Sequence, residues 1–175
     1  MDASITWQIV LILFLGGFCA AFIDSTVGGG GLISVPVLMS LGLPPHIVLG
    51  TNKAAASMGA VSSVFSFWKA GKIKFKNISL LIFLSFMFSA AGAFAVTLLD
   101  ESFMKQIAVF LLIIAALYTF LKKDFGKAKT QKKTGKLYII IAPVFASAIG
   151  FYDGFFGPGT GSFLIFSFLF LGYNF

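Results

Sequence analysis

Residues 17–53 read GFCAAFIDSTVGGGGLISVPVLMSLGLPPHIVLGTNK, and how this stretch is parsed decides the fold. It sets one carboxylate, four consecutive glycines, a short apolar segment and a Thr-Asn-Lys cluster among long apolar runs. Four glycines in a row are poor helix sequence, each costing up to about 1 kcal/mol relative to alanine. A helix arriving from the N-terminal side therefore breaks at Gly28, Gly29, Gly30 and Gly31. Residues 32–43 resume, but a dozen helical residues cover only about 18 Å of a roughly 30 Å hydrocarbon core. That length suits a half-membrane or re-entrant helix. Pro44 and Pro45 end it, because proline lacks a donor and disfavours helix in the residue before it.

Outside this stretch the composition places the chain in a membrane. Of 175 residues, 58% are hydrophobic and 11% charged, against about a quarter charged in a soluble domain. So few charges cannot cover a globule in water, whereas several apolar runs match the roughly 20-residue span of a transmembrane helix. The fold class is an all-α polytopic helix bundle in a lipid bilayer. The net charge of +7 rests on 13 lysines with no arginine. Four lysines fall in residues 69–76 and seven in 122–136, between apolar runs, as expected of cytoplasmic loops. Nucleic acid is not an expected partner, since no arginine fork is available to read bases. The Met-Asp-Ala start has no basic region before the apolar run, so no cleavable signal peptide is expected. Cys19 stands alone, which leaves no intrachain disulfide and no multi-cysteine metal site.

Length and breaks order the rest. Helices are expected over residues 5–27, 47–68, 78–99, 103–121 and 137–156, with short apolar helices after each glycine break. This divides the chain into a first repeat over 1–121, a lysine-rich loop over 122–136 and the start of a second repeat over 137–175. Both lysine loops in the cytoplasm put Asp100, Glu101, Pro44, Pro45 and His46 outside. The first run and its half-helix are expected to form one broken crossing.

The second break, Gly157-Pro158-Gly159-Thr160-Gly161, sits in GFYDGFFGPGTGSFLIFSFLFLGY from Gly150. A shift of 130 residues lays Gly29 on Gly159, Gly31 on Gly161 and Gly42 on Gly172, which favours an internal repeat. Paired interrupted segments of this kind point to a transport site. Each break has two readings: close packing between helices, or unwound backbone whose N–H groups, at a positive helix end, hold an anion. Asp24 and Asp153 precede the two breaks; each is a helix-end residue near the interface, a cap for the broken backbone, or a proton-coupling carboxylate. Lys53, in GTNKAAASMGA, either snorkels to the interface or faces the break with Thr51 and Asn52 as donors to an anion. The small residues of 54–60 would permit that approach. His46 reads as an interfacial loop residue. No H-E-x-x-H, G-x-S-x-G or Walker pattern occurs, so neither an enzyme nor a cofactor is expected.

Residues 17–75, with the TNKAAAS run, resemble the first block of the TauE/SafE sulfite exporter family, in its YfcA-like branch. The stretch from Gly150 resembles the start of that family's second repeat. The resemblance implies a bacterial inner-membrane carrier of small anions such as sulfite and organosulfonates. By motif, Asp24, Gly28, Gly29, Gly30, Gly31, Pro36, Thr51, Asn52 and Lys53 match the first block. Asp153, Gly154, Gly157, Gly159 and Gly161 match the second. The family's second repeat would continue with a helix answering TNKAAAS, so the chain reads as a truncated or natural short form. A site that needs both halves would then require another copy, a homo-oligomer. The function expected is transport of a small anion between the two breaks; the rival is a membrane interaction module whose lysine loops meet anionic lipid or an acidic partner.

Overall fold

The computed structural model describes residues 7–73, 75–121 and 136–170. The expected loop over 122–136 lies outside these except for Lys136. So do Ile5, Lys74 and residues 171–175, Gly172 among them. The described residues form seven helices and no strand: α1 Trp7–Val27, α2 Gly31–Ser40, α3 Pro45–Lys69, α4 Phe75–Thr97, α5 Glu101–Leu121, α6 Lys136–Phe155 and α7 Thr160–Phe170. The expected boundaries agree to within three residues at the helix starts. α3 begins two residues early because Pro45 occupies its first position, where proline's fixed φ helps and its missing N–H costs nothing.

Large apolar side chains cover the outside of the bundle: Phe14, Phe18 and Phe22 on α1, Phe83 and Phe86 on α4, and Phe110 and Leu117 on α5 are all exposed. In water this would be an untenable apolar surface; in a bilayer it is the lipid-facing side. α1, α4 and α5 are each long and apolar enough to cross. Hydroxyls within the helices donate to their own backbone, Thr26 to Phe22 and Ile23 and Thr119 to Ala115. Lipid offers them no other acceptor.

α4 and α6 lie side by side and run parallel. Ser85 Oγ donates to the Ala146 carbonyl at 3.2 Å. A Cβ at Gly150 would sit 2.8 Å from the Ser85 carbonyl oxygen, and one at Gly154 would run into the Ser89 carbonyl. Gly92 is pressed in the same way against the Phe151 carbonyl. Small residues thus bring two backbones together where apolar burial provides no drive between helices.

The glycine break does not continue one crossing, as the sequence suggested. A Cβ at Gly16 would lie 2.8 Å from Val37 Cγ1. If α2 extended α1, these positions would be about 30 Å apart at 1.5 Å per residue. α2 instead folds back along α1, and α1 enters from the same end as Pro45. Positive φ at Gly28, 70°, makes the reversal, in a region that side chains avoid. α6 and α7 form the matching hairpin: Tyr152 and Phe163 pack edge to face at 5.2 Å, and the Tyr152 hydroxyl donates to the Pro158 carbonyl at 2.7 Å.

The two hairpins arrive from opposite ends. α2 contributes Val35 to a core with Val48 and Leu49 at the start of α3, Met104 and Ala108 at the start of α5, and Phe156 just past α6. α7 instead follows the far half of α5, where Tyr118 meets Phe163 and Phe166 at 4.9 and 5.8 Å. His46 Nδ1 lies 3.1 Å from Glu101 Oε1, so the start of α3 and the α4–α5 turn share one end, as the loop charges predict. The repeat register is 129 residues, not 130. Gly28 and Gly157 both take positive φ, Asp24 answers Asp153, and α2 and α7 begin at Gly31 and Thr160.

Candidate functional site

The hairpins meet tip to tip, and the tips have no room for side chains. A Cβ at Gly28 would sit 2.7 Å from Gly161 Cα, and one at Gly31 would sit 2.9 Å from Pro158 Cα. At Gly30 it would meet the Ala20 carbonyl oxygen at 2.6 Å and Asp24 Cβ at 2.7 Å. Close packing alone therefore explains these glycines. Beside the junction lies an open cavity of about 530 Å³, walled by α1, α3 and both breaks. Its charged side chains, among the described residues, are Asp24, Lys53 and Asp153.

Asp24 turns back on its own break. Its Oδ1 accepts the Gly30 N–H at 3.0 Å, placing a carboxylate at the positive end of α2. Asp153, its counterpart in the second hairpin, does something else: its Oδ2 lies 2.8 Å from Lys53 Nζ. The lysine amine thus reaches across from α3 to α6, not out to the interface. Gly157 makes this reach feasible, because a Cβ there would lie 2.9 Å from Nζ. Both partners are partly exposed to the cavity, Lys53 at 31% and Asp153 at 40%.

Asn52 lies beside Lys53 with its amide held. Ser34 Oγ, on α2, donates to Asn52 Oδ1 at 2.6 Å. The Asn52 Nδ2 is left on the side of Gly31, 3.3 Å from where a Cβ would stand. Thr160 Oγ1 donates to the Gly157 carbonyl at 2.6 Å, closing the first turn of α7. The cavity so offers an ammonium, an oriented amide N–H₂ and two helix N-termini, all of which attract negative charge.

Most residues expected at a site converge here: Asp24, Gly28, Gly30, Gly31, Asn52, Lys53, Asp153, Gly157, Gly159, Thr160 and Gly161 all line the cavity. Two do not. Thr51 is exposed on α3 and off the cavity wall. Successive helical residues diverge by about 100°, so Thr51, Asn52 and Lys53 cannot all face one point. Gly29 is buried behind the tip. Ala55, Ala56, Gly59 and Ala60 form cavity wall instead of a close helix contact. Ser34 and Tyr152 were not anticipated, since a lone hydroxyl in an apolar helix carries no spacing signal. The α4–α6 seam had one: Gly150 and Gly154 form a G-x-x-x-G pair.

Comparison with known proteins adds to this geometry. The family model described as Sulfite exporter TauE/SafE matches residues 13–175. A probable membrane transporter protein of Haemophilus influenzae is 36% identical over 162 residues, covering 93% of this chain and 62% of that protein. The probable membrane transporter protein ORF9 of a Sinorhizobium species is 36% identical over 166 residues, covering 95% and 63%. The probable membrane transporter protein YfcA of Escherichia coli K12 is 36% identical over 165 residues, covering 93% and 60%. The chain thus spans somewhat over three-fifths of the length of these relatives. No solved structure matches it.

Proposed function

Since the chain belongs to the TauE/SafE sulfite exporter family, whose members are membrane transporters and not enzymes, we propose that it carries a small anion through the cavity at the hairpin tips. Sulfite or an organosulfur anion is the proposed cargo, and the bacterial inner membrane the proposed location. The observation that carries this reading is the presence of Lys53 and Asn52 in the one cavity where both glycine breaks meet. An ammonium and an amide donor supply charge and direction for an oxyanion. The N-termini of α2 and α7 add their positive ends, although Asp24 already takes part of the first. Irregular backbone at membrane depth is tolerated where it is buried in protein or lines a cavity, and both tips meet that condition.

The test is sulfite flux in proteoliposomes containing the 175-residue chain. Saturable flux is expected, with a fall of at least about tenfold, about 1.4 kcal/mol, in Lys53→Ala at equal protein incorporation. Undiminished flux in Lys53→Ala would remove the cavity from the pathway.

A further inference from the structure

We infer that the Lys53–Asp153 pair is a proton-operated gate on the anion site, so that one proton accompanies each monovalent anion bound. This rests on the carrier reading above. The argument starts from the cavity's charges. Asp24 and Asp153 ionised, with Lys53 protonated, leave it one negative charge in excess, which repels the proposed cargo. Lys53, the one cation among the described residues lining the cavity, is already answered: Asp153 Oδ2 sits 2.8 Å from Nζ. An incoming anion must compete with a carboxylate that is tethered in place, in surroundings less screened than water.

A proton on Asp153 removes that competitor. The cavity becomes neutral before binding, and Lys53 is released to the ligand without having to move. The proton comes from the water that enters the open cavity and is bound at the Asp153 carboxyl. It leaves by the same route when the anion departs and the ion pair re-forms. Bound anion and bound proton together leave the cavity's original charge unchanged, so the translocated pair carries no net charge.

The two aspartates divide the roles. They occupy equivalent positions in the two hairpins, yet among the described residues Asp24 accepts from a backbone donor, the Gly30 N–H, and Asp153 pairs with Lys53. A proton on Asp24 would take the charge from that capping bond, weakening it, and would leave Lys53 still paired. Among the described residues, the other elements around Asp153 bring no competing titratable group. α4 presents Ser85, Ser89 and Gly92 to α6. On α6 itself, Tyr152 spends its hydroxyl on the Pro158 carbonyl. On α3, His46 is turned to Glu101 of α5 at the Pro45 end. The described part of α7 has no ionisable side chain.

Methanesulfonate is a suitable probe, because it stays ionised from about pH 4 to about pH 8 while carboxyls titrate. Its binding to the detergent-solubilised chain is expected to weaken as the pH rises, by up to about tenfold per pH unit, the slope of one linked proton. In weak buffer, adding it to wild-type protein should draw about one proton from solution per anion bound. Asp153→Asn should bind it with a flat pH profile and take up no proton. Binding by wild type that is independent of pH and draws no proton overturns the gate and leaves the carrier reading standing. So does an Asp153→Asn protein that keeps the wild-type slope. Should Asp153→Asn not fold, proton uptake by wild type alone decides. Failure of wild type to bind sulfite or methanesulfonate at any pH overturns both readings.

Discussion

Lys53 reaches Asp153 across residue 157, which has no side chain to crowd its path. Gly157 has φ of 95°, and a Cβ would stand within 3.0 Å of both Nζ and Cε of the lysine. Gly157→Ala is therefore expected to cost about 1–2 kcal/mol in backbone strain and to push the amine off the carboxylate. Thermal unfolding in detergent would record the first effect. The second would appear as altered pH dependence of methanesulfonate binding, with no alteration meaning that Lys53 has another route to Asp153. Ser34 acts on the same site through Asn52, whose Oδ1 it occupies. In Ser34→Ala the amide is free to turn its oxygen towards the ligand, so affinity should drop several-fold, with partial recovery in Ser34→Thr. Equal affinity in wild type and Ser34→Ala would show that the amide does not need this anchor.

At the scale of elements, α4 and α6 are joined by their smallest residues, and α1 carries the matching pattern. The 129-residue register places Gly17, Ala21 and Ser25 opposite Ala146, Gly150 and Gly154. The α6 set is packed against α4, whereas Gly17, Ala21 and Ser25 are exposed. Gly154→Leu should be severe, since any side chain there meets the Ser89 carbonyl; over-packing typically costs about 1–3 kcal/mol. Ala21→Leu, at the equivalent position on α1, should be nearly neutral in the same chain. Thermal unfolding of the two variants in one detergent gives the comparison, and equal losses would contradict the seam as described.

At the scale of the molecule, two hairpins enter from opposite ends and touch at their tips. Their position predicts a labelling pattern. In a Cys19→Ser background, cysteines at Gly42 and Asp100 should react with an impermeant maleimide from one side of the membrane, and a cysteine at Lys72 from the other. Labelling of all three from one side would refute the arrangement. Part of this was legible beforehand. Lysine spacing and run lengths gave the number of the long helices and the directions of α3, α4 and α5, though not that of α1, because the bilayer imposes one length scale on every crossing. The four glycines marked the break itself. They carried no information on whether α2 continued or reversed, since glycine permits both and the choice falls to packing such as Val37 against Gly16.

What the sequence determined by itself was the class of protein and the list of unusual residues. Apolar runs with few charges have one stable environment, and an ionisable group within such a run stands out wherever it ends up. The tertiary structure decided the pairings. Asp24 and Asp153 occupy matching positions in similar motifs, yet one caps a backbone N–H and the other holds a lysine from a helix about a hundred residues earlier. Local sequence cannot separate them, because what divides them is which groups lie across the cavity, and only the meeting of the two hairpins sets that.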